Sequence, residues 1–584
     1  MQSSMIRLAL VAALLVAPVV AFAQPSDTPP VGDGSGSGSG SATPSGVDEG
    51  HLKELVDREV ARILNERAAQ EAAERAAKDQ AADKTTATAP VDGDITGSNG
   101  FMDTRLAFTL TNENTLVKPG ETIPSVPGWR FGTPNSLGVL FLDNYDTRYS
   151  GFETLSHATM YRDYHKGHFD AEAGLVIRIN EISGSNLSLS DDGSYITLSN
   201  WKDPLHRDPT RVSLTVFPVS ADRFRLGYSY RLSWGGNPEY GRATSATPGM
   251  KVQYDTDNMY VFAGAKSAVI LYQRTAEQKS ALAGLVGAGI DPTDMLRFEV
   301  NGGYFDRGYN ELIDVNDQKV QLFGGSFQAS IHKGMPLRSS VDYKLYRYNG
   351  EKVSDLFLPD KYPGGLSWLA QSEVEVLGQT LKDPSQTGVT KVQYGHAADL
   401  NVRVKYNRTR LRLDVSFRDL AYILHSVPSL PTYEDFPTDY KTTPDIFAAV
   451  GADQNYGDFL TIGLFAGIEQ PSSLTAPTGI PGSMGGGTGK TTAVFVNNNV
   501  DTLITILPQN ASVVPQFALK GTAKLDFGRI YTALAEVFYM HNPNETTYQR
   551  VGCTADQACP QQPFEFTFAN QNQLGVNVTL QARF

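Results

Sequence analysis

The last twelve residues, Gln573 to Phe584, alternate without interruption. Leu574, Val576, Val578, Leu580, Ala582 and Phe584 are apolar, and Gln573, Gly575, Asn577, Thr579, Gln581 and Arg583 fill the places between. A strand repeats every two residues, so this stretch has one wholly apolar and one wholly polar face. In a soluble sandwich the apolar face meets a core and the polar face meets water. In a transmembrane barrel the apolar face meets lipid and the polar face a wet interior. The stretch stops on an aromatic residue of its apolar face. Ends of soluble domains tend to fray, so this ending favours the barrel.

A helical membrane protein is the alternative to exclude. Residues 1–23 carry Arg7, an apolar run from Leu8 to Val20 and a small-x-small site at Ala21-Phe22-Ala23, the pattern of a secretory signal peptide. Gln24 follows where a lipoprotein would need Cys. Beyond the leader no apolar run reaches the 18 or more residues of a spanning helix. Met259 to Tyr272 is broken by Lys266, and Ala281 to Ile290 is too short. Only a closed barrel then satisfies the backbone within lipid. Loss of Arg7 with the leader moves the formal net charge from −13 to −14, which argues against nucleic acid as a partner.

The exported part divides by composition. Residues 24–46 are rich in Pro, Gly, Ser and Thr and read as a disordered tether. In residues 47–84, Leu52, Leu55, Val56, Val60, Ile63 and Leu64 recur at helical steps, and Glu54–Arg58, Glu71–Arg75 and Glu74–Lys78 are favourable pairs. The stripe then thins to alanine, so a short periplasmic coiled coil and a solitary spacer helix both fit. Residues 85–93 are a linker.

From 94 to 584 the period is two. Phe169 to Ile179, Val212 to Val216, Phe224 to Trp234, Phe323 to Ile331 and Phe517 to Phe527 each alternate with polar residues, and short turns follow at Lys333-Gly334 and Gly528-Arg529. Strands of roughly 10 to 14 residues suit a tilted membrane wall. Asn112–Asn135, Gly236–Thr247, Asn349–Gly365, Ser426–Tyr456 and Asn542–Pro563 read as long polar outer loops. Residues 146–162 and 367–389 resist a clean period. The expected fold is an all-β antiparallel transmembrane barrel of about 18 strands (range 16–20) after a short N-terminal α-helix. The closing stretch resembles that of Gram-negative outer-membrane barrel proteins. That resemblance implies the cell outer membrane as the location, Phe584 as an assembly signal, and the barrel-assembly machinery and outer-membrane lipid as partners.

The chemistry is mostly basic. Arg403, Lys405, Arg410, Arg412 and Arg418 share a polar face within Asn401–Arg418, and Arg223, Arg225 and Arg231 fall on the polar face of the run before Trp234. Arg211, Arg338, Lys344, Lys520 and Lys524 follow the same rule, as do the acids Asp170, Glu172, Glu299, Asp342, Asp414 and Asp526. Such a ladder attracts anions down a wet channel, or, facing acids, sets a transverse field. Cys553 and Cys559, the two cysteines of an exported chain, are expected to form a loop disulfide. No metal, cofactor or catalytic residue is expected. Met484 stands where a phosphate loop ending at Gly489-Lys490-Thr491 needs Gly, and His165 with His168, or Asp255 with Asp257, lacks further ligands and reads as turn. A hydrolase triad is not placed by any local motif.

The order of signal, helix and barrel is similar to that of the phosphate-selective porin family, as layout alone and with no residue carried over. The function expected is passive diffusion of small hydrophilic solutes through a homotrimer. A structural or adhesive barrel with a plugged lumen is the alternative. A TonB-dependent transporter or an autotransporter would need a folded domain that the roughly 70 residues ahead of residue 94 do not supply.

Overall fold

The computed structural model describes residues 96–111, 130–131, 156–335, 358, 362, 364–426, 434–477, 489–497, 502–550 and 564–584, apart from 184–185, 192, 230, 237–238, 241–242, 244–245, 273 and 458. The leader, tether, periplasmic helix and linker expected over residues 1–93 lie outside these, as do Arg338, Asp342, Lys344, Cys553 and Cys559.

The described chain is dominated by one antiparallel sheet. Of its 21 strands, Thr96–Gly97, Arg130–Phe131 and Asn186–Asp191 are side pairings, and the other 18 form a ring. In chain order these are β1 (Gly100–Thr111), β2 (Ser156–Lys166), β3 (Phe169–Ser183), β4 (Tyr195–Trp201), β5 (Arg211–Phe217) and β6 (Gly249–Asp255). β7 (Met259–Leu271), β8 (Gln278–Thr293), β9 (Leu296–Tyr309), β10 (Lys319–Lys333), β11 (Leu366–Lys382) and β12 (Thr390–Tyr406) follow. β13 (Thr409–Arg418), β14 (Asp445–Tyr456), β15 (Leu460–Gln470), β16 (Gln516–Phe527), β17 (Tyr531–His541) and β18 (Asn572–Arg583) complete it. Each strand pairs with its neighbour in sequence, and β18 returns to β1 with Asp103 opposite Arg583 and Leu106 opposite Leu580. The ring is therefore closed, at the number of strands the alternation had suggested. The last residue is held as well: Met102 and Phe584 exchange both backbone hydrogen bonds at 2.8 Å.

Alternation decides which face each residue takes. Along β4 burial switches at every residue, with Leu198 half-exposed outside and Thr197 and Ser199 buried inside. Val286, Val300, Val374, Leu464 and Leu519 are likewise exposed on the outer surface, while Asn301, Glu373, Glu375 and Lys520 are buried within. An apolar outside and a polar inside are what a wall between lipid and a hydrated interior requires. Tyr164, Phe169, Tyr406, Tyr456, Phe459, Phe527, Tyr531 and Phe584 are exposed aromatics beside the short turns, the position of an aromatic girdle at one membrane boundary. The turns themselves are tight: Gly167 at φ 57° and Asn407 at φ 53° supply the left-handed residue that two-residue links need.

Two expectations are corrected. Residues 445–456, read as outer loop, form β14, because their inner face carries Phe447, Ala449 and Gly451 and so hides the polar half of the alternation. Residues 223–234, read as a wall strand, are not in the wall at all. β5 and β6 pair directly, Phe217 opposite Gly249, so residues 218–248 leave the sheet and re-enter it. Residues 146–162 and 367–389, which show no clean period, contain the first seven residues of β2 and all of β11 but Leu366. Among the described residues there is one helix, α1 (Leu420–Ser426).

Candidate functional site

The interior is organised by the 218–248 segment. Its apolar residues Phe224, Leu226, Leu232 and Trp234 are fully buried, in one cluster with the inward-facing Phe262, Leu285, Phe305, Leu322 and Leu377 of the wall. Phe224 stacks on Phe217, with ring centroids 6.1 Å apart, and Trp234 lies 6.2 Å from Phe305. Leu226 and Trp234 exchange backbone hydrogen bonds at 2.8 and 3.1 Å, which makes the middle of the segment a small hairpin. The Phe/Leu/Tyr alternation thus serves a packed interior and not lipid. Lys266 on β7 clasps the base, donating to the carbonyl oxygens of Ala221 at 2.6 Å and Gly235 at 2.5 Å.

The tip of the hairpin reaches the far wall. The backbone N–H groups of Tyr228 and Ser229 donate to Glu373 Oε2 at 3.1 and 2.9 Å. Arg231 Nε donates to Ser416 Oγ at 3.1 Å, its Nη2 donates to Glu469 and lies 3.5 Å from Asp445 Oδ2, and its guanidinium sits 3.9 Å from the centre of the Phe447 ring. These partners occupy adjacent strands, since Glu373 pairs with Asp399, Asp399 with Ser416, Ser416 with Phe447 and Phe447 with Glu469. The segment leaves the ring between β5 and β6, and Glu469 is on β15. In a ring of eighteen that is nearly diametric, so the segment crosses the lumen.

α1 meets it there. Asp419 caps the helix by accepting from the Tyr422 backbone N–H at 2.7 Å. Gly395 of β12 lets the helix lie directly on the wall, because a Cβ there would come within 2.3 Å of the Tyr422 nitrogen. Tyr422 OH donates toward Leu232 O and Glu375. Arg307 joins both insertions: it pairs with Glu239 at 2.5 Å and donates to His425 O at 2.6 Å. Burial pushes the Glu239 carboxyl up to about 7, with Arg307 pulling the other way. Burial and the charge of Arg307 push His425 down to about 3, so this imidazole is neutral.

The basic residues predicted to line the interior fall in two groups. Arg403 stands opposite Arg412 and Lys405 opposite Arg410, all on the inner face of β12 and β13. Arg410 and Arg412 donate to the same oxygen of Asp453, at 2.6 and 2.7 Å, and Arg418 pairs with Asp445 at 2.5 Å. Lys405 lies over the Tyr362 ring at 4.9 Å. Arg223, Arg225 and Arg231 are not with them: they belong to the crossing segment, where Arg225 donates to Ser233 O at 2.6 Å and Arg223 packs across Gly193. The acids Asp445 and Asp453 were missed with β14, and Glu469 on β15 was not singled out. One signal was available, since Asp445 and Asp453 are eight residues apart and so share a face. Of the predicted acids, Glu172 accepts from Tyr161 OH at 2.9 Å and Asp526 from Thr532 Oγ1 at 2.6 Å.

No protein-family model matches the chain, and no curated protein matches it. Among solved structures it is similar to the anion-selective porin from Comamonas acidovorans, at 10% identity over 84% of this chain and 100% of that one, with a TM-score of 0.36. It is also similar to OccD3 (OpdP) of Pseudomonas aeruginosa, at 12% identity over 85% and 94%, TM-score 0.38. A further likeness is to the outer membrane protein OprD of the same organism, at 11% identity over 85% and 96%, TM-score 0.35. At these scores the likenesses carry no argument, and the functional reading rests on the geometry of the chain itself.

Proposed function

We propose that the protein is an outer-membrane channel for passive diffusion of small hydrophilic solutes, not an enzyme, with its passage narrowed by residues 218–248 and α1. One observation carries this reading: a closed 18-strand wall, wide enough for an aqueous channel, is crossed by a charged hairpin anchored on the opposite side. Arg403, Lys405, Arg410, Arg412 and Arg418 border the passage from the wall, and Arg223, Arg225 and Arg231 border it from the hairpin. Of the two readings of the basic ladder, the ion pairs to Asp453 and Asp445 favour the transverse field, and so weak charge selectivity. Outer-membrane lipid, the assembly machinery acting on Phe584, a homotrimer, a periplasmic helix over residues 47–84, and a disulfide between Cys553 and Cys559 complete the proposal.

Replacing Arg403, Lys405, Arg410 and Arg412 together by Gln tests the selectivity. The reversal potential across a salt gradient should move toward cation preference, and less so as salt rises from 0.1 to 1 M, where the screening length falls from about 10 to about 3 Å. An unchanged potential would remove these residues from selectivity. The full burial of Phe224, Leu226 and Trp234 favours a second reading, a sealed structural barrel. Liposome swelling in small sugars separates the two, because a sealed barrel admits none.

A further inference from the structure

We propose that His165, Asp170 and His206 bind one divalent transition-metal ion of the zinc type at the short-turn end of the barrel. His165 and Asp170 are register partners near the ends of β2 and β3, and His206 comes from the turn between β4 and β5. One donor atom from each of the three lies within 4.8 Å of the other two. Asp170 Oδ1 is 2.9 Å from His165 Nδ1 and 3.5 Å from His206 Nε2. Four ligands at about 2.1 Å from a tetrahedral ion stand about 3.4 Å apart, so the set closes on an ion with small shifts.

Three further features point the same way. His165 Nδ1 and Asp170 Oδ1 are buried atoms that face each other as an ion pair, outside good hydrogen-bond geometry. The remaining groups are held as a metal's outer ligands usually are: His165 Nε2 is 3.3 Å from Asp163 Oδ2, and Trp201 Nε1 donates to Asp170 Oδ2 at 2.6 Å. A carboxylate on the distal nitrogen fixes the imidazole tautomer and strengthens it as a ligand. His206 is held in a left-handed conformation, φ 54°, by a turn in which Asp203 accepts from the backbone of Leu205, His206 and Arg207. That turn stacks His206 on Trp201, with centroids 4.2 Å apart, and brings its Nε2 within 3.3 Å of Gly167 O, a contact the ion would replace. Two imidazoles and one carboxylate select zinc-like ions over calcium or magnesium, which take oxygen ligands. His168 is turned elsewhere, with Nδ1 2.8 Å from Trp201 O. The third ligand is thus distant in sequence, and spacing alone could not show it.

The test uses the untagged, chelator-treated full chain folded in detergent, titrated with Co²⁺ and then Zn²⁺ at pH 7.5. One equivalent of Co²⁺ should bind with the visible absorption of a four-coordinate ion and be displaced by Zn²⁺. H165A, H206A and D170N should each abolish that band or weaken affinity at least 10-fold. D163N should weaken it about 10- to 100-fold, and H541A, at the other end of the wall, should change nothing. Heat-modifiable gel mobility verifies folding. Should H165A fail to fold, H206A decides, because it alters only a turn. Absence of a stoichiometric equivalent in the wild type, or one that survives H206A and D170N, would leave a His–Asp ion-pair cluster and overturn the proposal.

Discussion

At the scale of single residues the interior is governed by pairing. Arg231 reaches carboxylates on two far-wall strands, and removing it leaves Asp445 and Glu469 facing each other with Arg418 as the remaining nearby cation. Charge-assisted hydrogen bonds contribute about 1.5–3 kcal/mol each, so R231A should weaken docking of the hairpin by about 2 kcal/mol or more. The expected result is larger or noisier single-channel current with heat-modifiable mobility unchanged. Asp453 is the converse case, because D453N removes the negative charge that Arg410 and Arg412 share. The reversal potential should move toward anions, most clearly at low salt. Glu239 gives the hairpin a pH dependence. Its folded value of about 7 lies above the ordinary 4.5, so its contribution to docking is present at low pH and lost as pH rises through about 7. Current noise should rise between about pH 4.5 and 7 in the wild type and stay flat in E239Q.

At the scale of elements, the wall was legible in the sequence where its two faces differ in polarity. β18 and β16 show this plainly, since from Gln573 onward every inward position of β18 is polar or Gly and every outward one apolar or Ala. β14 failed because Phe447, Ala449 and Gly451 face inward, so nothing polar marks the period between Asp445 and Asp453. The hairpin failed for the opposite reason. Phe224 to Trp234 alternates as a lipid-facing strand would, yet the apolar surface it meets is the aromatic inner lining of the wall. Periodicity reports that one face is buried, not what buries it. The candidate site was therefore legible in part: the basic faces of β12 and β13 were, whereas their acidic partners and the crossing segment were not. The outer wall makes its own prediction. Val374 lies midway along β11 and faces outward, so V374R should cost about 2–4 kcal/mol of barrel stability, read as a lower midpoint in denaturant-induced unfolding in lipid. An unchanged midpoint would place this face away from lipid.

At the scale of the whole molecule, closure makes this chain what it is. Eighteen strands with no free edge enclose a space too wide for wall side chains alone to fill, and the 218–248 hairpin and α1 occupy it. The proposed trimer would rest on outer-wall contacts, with the proposed 47–84 helices, too short to hold alone, gaining effective concentration once the barrels associate. Deletion of residues 24–84 should therefore lower the trimer fraction in crosslinking and leave conductance per barrel unchanged. The central claim is that the ring is an open channel whose width is set by the crossing hairpin. Planar-bilayer recording of the wild type beside a variant with residues 224–234 replaced by a short Gly-Ser link tests it most directly. The account predicts stable ohmic steps from the wild type and larger ones from the variant. No steps from the wild type, or steps of equal size from both, would contradict it.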